Sequence, residues 1–245
     1  MNGLPRWVDS VVAAAGLIAA LPFLTVAGAL VWITSPGPAL FRQARVGHRG
    51  TTFTLLKLRS MRPGRPGEAG PEVTARGDAR ITPIGRLLRR TKLDELPQLW
   101  NVIRGDLALV GPRPEVPGCV ALSDSRWRQV LAVRPGLTDP VTLRLRDEEA
   151  LLAELRSISG VEAEEVYRRH LQPWKLQGYL RYLEQRTAWS DLRCLFATAL
   201  SPLGLSFGMR LDPPTVEELL VPAETAEAGQ QDTGRDSSDW HMGSS

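Results

Sequence analysis

Val11 to Ile33 runs for 23 residues without a charged side chain, VVAAAGLIAALPFLTVAGALVWI. This run constrains everything that follows it. Its length suffices to cross the hydrocarbon core of a bilayer and exceeds what a buried helix of a soluble domain needs. It is too long for a signal peptide, and no small-residue cleavage site leads into a mature domain. Pro22 sits near its middle, where the missing N–H removes a helical hydrogen bond and bends the axis. Lys and Arg collect on cytoplasmic flanks, and here Arg6 precedes the run while Arg42, Arg45 and Arg49 follow it. The residues leave two readings open. One is a single span. The other is a helix that enters the membrane, breaks at Leu21–Pro22 and returns to the same face.

The overall charge of +3 conceals an asymmetry. Between Arg42 and Lys92 there are 13 Lys and Arg against three acids, Glu68, Glu72 and Asp78, a net of +10. Such a block suits phosphates, anionic lipid or nucleic acid. It lacks a base-reading motif and follows a membrane segment, which disfavours nucleic acid. Cys119 and Cys194 are the only cysteines. Two so far apart make neither a disulfide framework nor a metal-ligand spacing, and fit a reducing cytoplasmic compartment.

Ser35-Pro36-Gly37-Pro38 ends the apolar helix. Leu40–Val46 and Thr52–Arg59 alternate in part around Gly47-His48-Arg49-Gly50 and predict a hairpin, with Lys57 and Arg59 on one face and Leu56 and Leu58 on the other. Residues 63–77 are rich in Gly and Pro and read as a long loop that could act as a lid. Ile84, Leu87, Leu88 and Thr91 mark a helix face ringed by Arg86, Arg89 and Arg90, either solvated or lying among headgroups.

Asp94 and Glu95 stand between this basic cluster and Pro97. Leu96, Leu99, Trp100 and Ile103 recur at helical spacing, so the carboxylates are expected at the positive end of a helix, with Pro97 in its first turn. The ordinary role of such an acid is an N-cap. The alternative is a nucleophilic or metal-binding carboxylate. Two stiff basic turns follow, Gly111-Pro112-Arg113-Pro114-Glu115 and Arg134-Pro135-Gly136-Leu137-Thr138. A guanidinium presented with so little freedom suits two-point contact with phosphate oxygens, or pairing with a nearby acid. From Asp147 the pattern is helical: Glu149–Arg156, Val161–Leu171 and Leu176–Arg186, then an apolar stripe of Trp189, Leu192, Phe196 and Leu200, with Trp174, Tyr179 and Tyr182 shortly before, which suits either a membrane interface or a plain core face. The chain from about Pro222 is acidic, small and polar, which predicts disorder, and His241–Ser245 reads as a cloning remnant.

KLRSM (Lys57–Met61), RRTKLDELPQLWNVIRGD (Arg89–Asp106), LVGPRPE (Leu109–Glu115) and RPGLT (Arg134–Thr138) occur in this order behind the apolar N-terminus. Together they resemble the bacterial sugar transferase family, the monotopic phosphoglycosyl transferases, over about residues 4 to 205. The resemblance implies an α+β, mostly helical fold: an N-terminal re-entrant membrane helix, a short β-hairpin, and interfacial amphipathic helices around an active site on the cytoplasmic face. The expected divisions are an anchor over 1–38, a catalytic domain over 39–205 and a C-terminal extension over 206–245. The family's re-entrant helix favours the second of the two readings of the apolar run.

The implied reaction moves a sugar-1-phosphate from a UDP-sugar to undecaprenyl phosphate and releases UMP, the first membrane step of glycoconjugate assembly. Carried over by motif, Asp94 is the nucleophile that forms an aspartyl-phosphosugar intermediate, Glu95 its partner, and Mg²⁺ the cofactor, bound at Asp94 with the diphosphate. Lys57, Arg59, Arg89, Arg113 and Arg134 are the cations expected near phosphates. The implied partners are the UDP-sugar donor, the undecaprenyl phosphate acceptor and membrane lipids, with no nucleic acid and a homodimer among the assemblies allowed. The implied location is the bacterial inner membrane. Two departures stand out: the helix break reads Leu21-Pro22 where the family has Ser-Pro, and Asp139-Pro140-Val141-Thr142 follows the second turn where many relatives have Gly-Trp-Ala-Gln. The rival from another class is a non-catalytic scaffold whose basic face holds anionic lipid, indifferent to Asp94.

Overall fold

A computed structural model describes residues 3–62, 74, 77–201, 208–209 and 212–220. Most of the expected Gly/Pro-rich loop, and the acidic tail, lie outside the described residues. Helix α1 (Arg6–Thr34) has 29 residues, about 43 Å at 1.5 Å per residue. It is long and apolar enough to cross a membrane. One stripe of it, Asp9, Ala13, Ala20, Ala27 and Val31, is buried against the rest of the protein. The three alanines let the backbones approach closely. The opposite side exposes Trp7, Val11, Ile18, Phe23, Val26 and Trp32.

The helix does not break at Leu21 and Pro22; both lie inside it. Proline deletes one N–H from the ladder and leaves the bonds on either side in place. One turn on, the Thr25 hydroxyl donates to the Leu21 carbonyl at 2.8 Å.

Strands β1 (Leu40–Val46) and β2 (Thr52–Leu58) form the expected hairpin, with Leu40 opposite Leu58 and Val46 opposite Thr52. Its turn carries Arg49 at φ 56°. Helix α2 (Pro83–Thr91) starts at Thr82, whose hydroxyl accepts from Gly85 N at 2.9 Å. Helix α3 (Gln98–Arg104) follows the acidic pair. Strands β3 (Ala108–Val110) and β4 (Gly136–Thr138) pair in parallel. This small sheet went unanticipated, because three residues are too few to show a period of two. It sets the two stiff turns side by side: Gly111 N donates to Thr138 O and Gly136 N to Pro112 O, each at 2.9 Å. A Cβ at Gly136 would collide with the Gly111 backbone, so glycine is required for this approach.

The remaining helices are α4 (Ser125–Leu131), α5 (Pro140–Arg144), α6 (Glu148–Ser159), α7 (Ala163–Val166), α8 (Gln172–Glu184), α9 (Ala188–Leu200) and α10 (Val216–Leu220). A π-helical turn, Tyr167–Leu171, joins α7 to α8. The departure Asp139-Pro140-Val141-Thr142 is an N-cap: Asp139 Oδ1 accepts from Val141 N at 2.7 Å and Thr142 N at 2.9 Å. One core gathers Trp127, Leu152, Leu155, Val166, Leu171 and Tyr179. A second, around Leu99, Val102, Leu107 and Leu109, takes in Ala13 of α1 and Cys194 and Ala197 of α9. The apolar stripe expected on α9 is therefore not its buried face. Trp189 and Phe196 are exposed, and the inward positions are Asp191, Cys194 and Ala197. Small side chains fit there, and Asp191 goes in paired with Arg186 at 2.9 Å. Both cysteines are buried, and neither is in a disulfide among the described residues.

Candidate active site

Helix α2 ends when Lys92 turns left-handed at φ 58°. The next three residues, Leu93–Glu95, make a single 3-10 turn, and α3 begins only at Gln98. Asp94 and Glu95 thus precede α3, and Pro97, expected in its first turn, stands at its N-cap. Leu96 and Pro97 keep helical backbone angles between the two.

Asp94 caps nothing. It is 6% exposed, and its Oδ1 is buried with no hydrogen-bond partner among the described residues. Burial raises its pKa above the ordinary carboxylate value, with the neighbouring Glu95 charge adding to the rise and Lys57, Arg89 and Lys92 opposing it. A buried acceptor without a donor is costly, and such an atom in a native fold calls for a missing partner.

Glu95 is the opposite case. The Arg113 guanidinium forks onto it, with Nη1 donating to Oε2 at 3.3 Å and Nη2 donating to Oε1. Lys57 Nζ donates to the same Oε1 at 3.2 Å. Burial acts to raise the Glu95 pKa, but the Arg113 and Lys57 charges outweigh it and hold the carboxyl well below its usual range. Glu95 is therefore a fixed anion that holds Arg113 and Lys57, and the Lys57 charge also reaches Asp94. Both cations retain N–H donors beyond those given to Glu95. Asn101 secures this arrangement from below. Its Nδ2 donates to Thr54 O at 2.8 Å and its Oδ1 accepts from Leu56 N at 3.1 Å, tying α3 to the strand that bears Lys57.

The other three candidate cations are bound to other partners. Arg89 pairs with Glu149 and donates to Ser60 Oγ at 3.3 Å, on the edge of the site. Arg59 is 7% exposed and donates to Ser35 O at 2.6 Å and Pro36 O at 2.5 Å, so it closes the C-terminal end of α1. Arg134 reaches Asp9 of α1, Nη2 to Oδ2 at 3.6 Å. Arg59 and Arg134 join the apolar helix to the body of the protein; around the acidic pair stand Lys57 and Arg113 on Glu95, with Lys57, Arg89 and Lys92 acting on Asp94.

Sequence reasoning overlooked Gln98, 1% exposed and one helical turn beyond Asp94, whose Nε2 also lacks a partner among the described residues. A polar residue on the buried face of a short apolar helix was the available signal. It overlooked the buried group of Glu115, Tyr167 and Lys175 as well. Glu115 closes the quoted LVGPRPE motif, but nothing local marks its partners some 50 residues on.

Among the described residues no three His, Cys, Asp or Glu side chains converge on a metal site. A magnesium ion needs less than that. It is commonly held by one or two carboxylates, with water and substrate phosphates completing its shell. The unpartnered oxygen of Asp94 fits such an ion arriving with a diphosphate.

The chain is similar to known proteins over most of its length. A family described as bacterial sugar transferases matches residues 2–204. The UDP-glucose:undecaprenyl-phosphate glucose-1-phosphate transferase of Caulobacter vibrioides is 39% identical over 200 residues, covering 78% of this chain and 67% of the relative. A putative undecaprenyl-phosphate N-acetylgalactosaminyl 1-phosphate transferase of Bacillus subtilis is 45% identical over 114 residues, covering 46% of this chain and 63% of that protein. The exopolysaccharide production protein PSS of Rhizobium leguminosarum is 34% identical over 206 residues, covering 82% and 95%.

Proposed function

We propose, because the chain belongs to the bacterial sugar transferase family, that it transfers a sugar-1-phosphate from a UDP-sugar to undecaprenyl phosphate through a covalent intermediate on Asp94. The observation that carries this reading is the asymmetry of the acidic pair. Glu95 is held by two cations, whereas Asp94 is buried with an oxygen that no group among the described residues engages. One carboxylate builds the site and the other is left to react.

In the first step an Asp94 oxygen attacks the phosphorus that bears the sugar. The bond from that phosphorus to the bridging oxygen breaks, and UMP leaves with the electron pair. In the second, a phosphate oxygen of the lipid attacks the same phosphorus and expels the Asp94 carboxylate. Dividing one displacement into two suits two anionic substrates that need never meet. The free donors of Lys57 and Arg113 face the charge that gathers on the transferred group. Magnesium, when bound at Asp94 with the diphosphate, would supply further neutralisation. We place the protein in the bacterial inner membrane as a monotopic protein with this site at the cytoplasmic face. The exposed apolar side of α1 and the arginines flanking it support that placement.

The test is release of UMP from UDP-glucose and UDP-N-acetylgalactosamine by the full chain in lipid nanodiscs. Release is expected with at least one donor, with multiple turnovers only when undecaprenyl phosphate is present. Because burial raises the Asp94 pKa, its reactive ionised form is lost as pH falls through a value above that of an ordinary carboxylate. The acid limb of kcat/KM is expected to lie there. Turnover indifferent to the Asp94→Asn substitution would remove Asp94 as the nucleophile, and lipid binding with no UMP release from any UDP-sugar would favour the scaffold reading.

A further inference from the structure

Behind Arg113 lies a second ionic group that the reaction as written does not use. Glu115, Tyr167 and Lys175 are 6%, 3% and 5% exposed. The Tyr167 hydroxyl donates to Glu115 Oε1 at 2.6 Å. Lys175 Nζ lies 2.9 Å from the same oxygen and donates to the Tyr167 hydroxyl, also at 2.9 Å. Glu148 Oε2 stands 3.7 Å from that ammonium. The group sits among Trp127, Val130, Leu152, Val166 and Leu176, in the apolar core of the C-terminal half.

Stability is a poor reason for such a cluster. Desolvating the charges offsets most of their attraction, and apolar replacements of equal volume often do as well or better. The local backbone is also unusual. A regular α-helix advances about 100° per residue, so residues eight apart are roughly 80° out of line. The π turn Tyr167–Leu171 inserts one extra residue. That brings Tyr167 and Lys175 to within about 20° of one another, on the face that meets Glu115.

Glu115 is two residues from Arg113, with proline on both sides of the arginine. This stiff segment is fastened at several points. Arg45 Nη1 donates to Pro114 O at 3.0 Å, Val46 N to Glu115 O at 2.9 Å, and Gly136 N to Pro112 O at 2.9 Å. The Glu115 side chain is the fastening that comes from the C-terminal helices. A rigid segment gripped at one end fixes what it carries at the other.

We infer that Tyr167 and Lys175 are positioning residues for Arg113: the π turn clamps Glu115, and the Pro112–Pro114 segment transmits that grip to the guanidinium on Glu95. This rests on the reaction proposed above. It assigns the C-terminal helices a part in holding the phosphate-facing cation, although they lie far along the chain from Asp94.

The experiment is a double-mutant cycle on UMP release by the full chain in nanodiscs, using Tyr167→Phe, Arg113→Lys and the pair. Tyr167→Phe removes one hydroxyl and keeps the ring. It is expected to lower kcat for the donor about tenfold, leaving the acceptor KM unchanged, since small misplacements of a reacting constellation are costly. In the Arg113→Lys background the same change is expected to cost less than twofold, because the fork that the clamp serves is already gone. Glu115→Gln, which keeps the shape and discharges the clamp, is expected to repeat the pattern, and it replaces Tyr167→Phe if that variant does not fold. An equal fractional loss in both backgrounds marks a purely structural role and overturns the inference, as does no loss in either. Wild-type protein that releases no UMP overturns instead the reaction on which the inference stands.

Discussion

Asp94→Asn is expected to lower UMP release by at least about 10³-fold, the scale of removing a nucleophile that no neighbour replaces, and also to melt at a higher temperature than the wild type. The two outcomes share a cause. Burial raises the Asp94 pKa, so the folded chain holds that proton more tightly than the unfolded chain. The stability this contributes is present below the ordinary carboxylate pKa and is lost as pH rises through the raised value. At neutral pH the ionised side chain is then a cost to folding, with an oxygen that no group among the described residues engages, and an amide removes the charge. An inactive variant that is less stable would point to a structural acid. An inactive and more stable one is what a reactive group maintained against the interests of the fold should give. Thermal unfolding in detergent, run beside the UMP assay, measures both.

Glu95→Ala is expected to fail differently, losing turnover by about 10²-fold or more and stability by about 3 kcal/mol. Removing the carboxylate leaves Lys57 and Arg113, both part-buried, facing one another without the anion between them. The linkage has the opposite sign to that of Asp94. The Glu95 pKa is held well below its usual range, so its stabilising share is present above the unfolded carboxylate pKa and lost only as pH falls through the lower folded value. The deficit of Glu95→Ala should accordingly be full at neutral pH and shrink in strong acid. Glu95→Gln keeps the shape and several hydrogen bonds, and should lie between this variant and the wild type in both measurements. Urea unfolding curves at two pH values separate the contributions.

The contrast between the two acids was not legible in the sequence, where Asp94 and Glu95 are simply adjacent. What separates them is long-range. Lys57 comes from a strand 38 residues away and Arg113 from a turn 18 residues on, and no local pattern says which carboxylate they meet. The hairpin was legible, because seven-residue strands around a Gly-rich turn display their period. The β3–β4 pair was not, although its glycines were quoted as features of stiff turns. Their requirement comes from one turn pressing on the other.

The basic residues divide for the same reason. Charge within the quoted motifs grouped Lys57, Arg59, Arg89, Arg113 and Arg134 as candidates for phosphate. The fold sends Arg59 to the carbonyls that end α1 and Arg134 to Asp9 within it. A guanidinium serves a helix end or a buried acid as readily as a phosphate, and only position tells which. On α9, the run Trp189, Leu192, Phe196, Leu200 had helical spacing, but the burial of the paired Asp191 turned the opposite face inward. Pro22 was legible as a perturbation of the ladder. The sequence did not show that the helix would continue through it.

The covalent step is the centre of this account, and one measurement addresses it without mutation. Wild-type protein is incubated with UDP-sugar and magnesium in the absence of lipid acceptor, quenched in acid, digested and read by mass spectrometry. The account predicts a sugar-phosphate adduct on the peptide containing Asp94, localised to that side chain, which disappears when undecaprenyl phosphate is added before the quench. Lipid-linked product that accumulates while every time point leaves Asp94 unmodified, or an adduct found on a different residue, would contradict it.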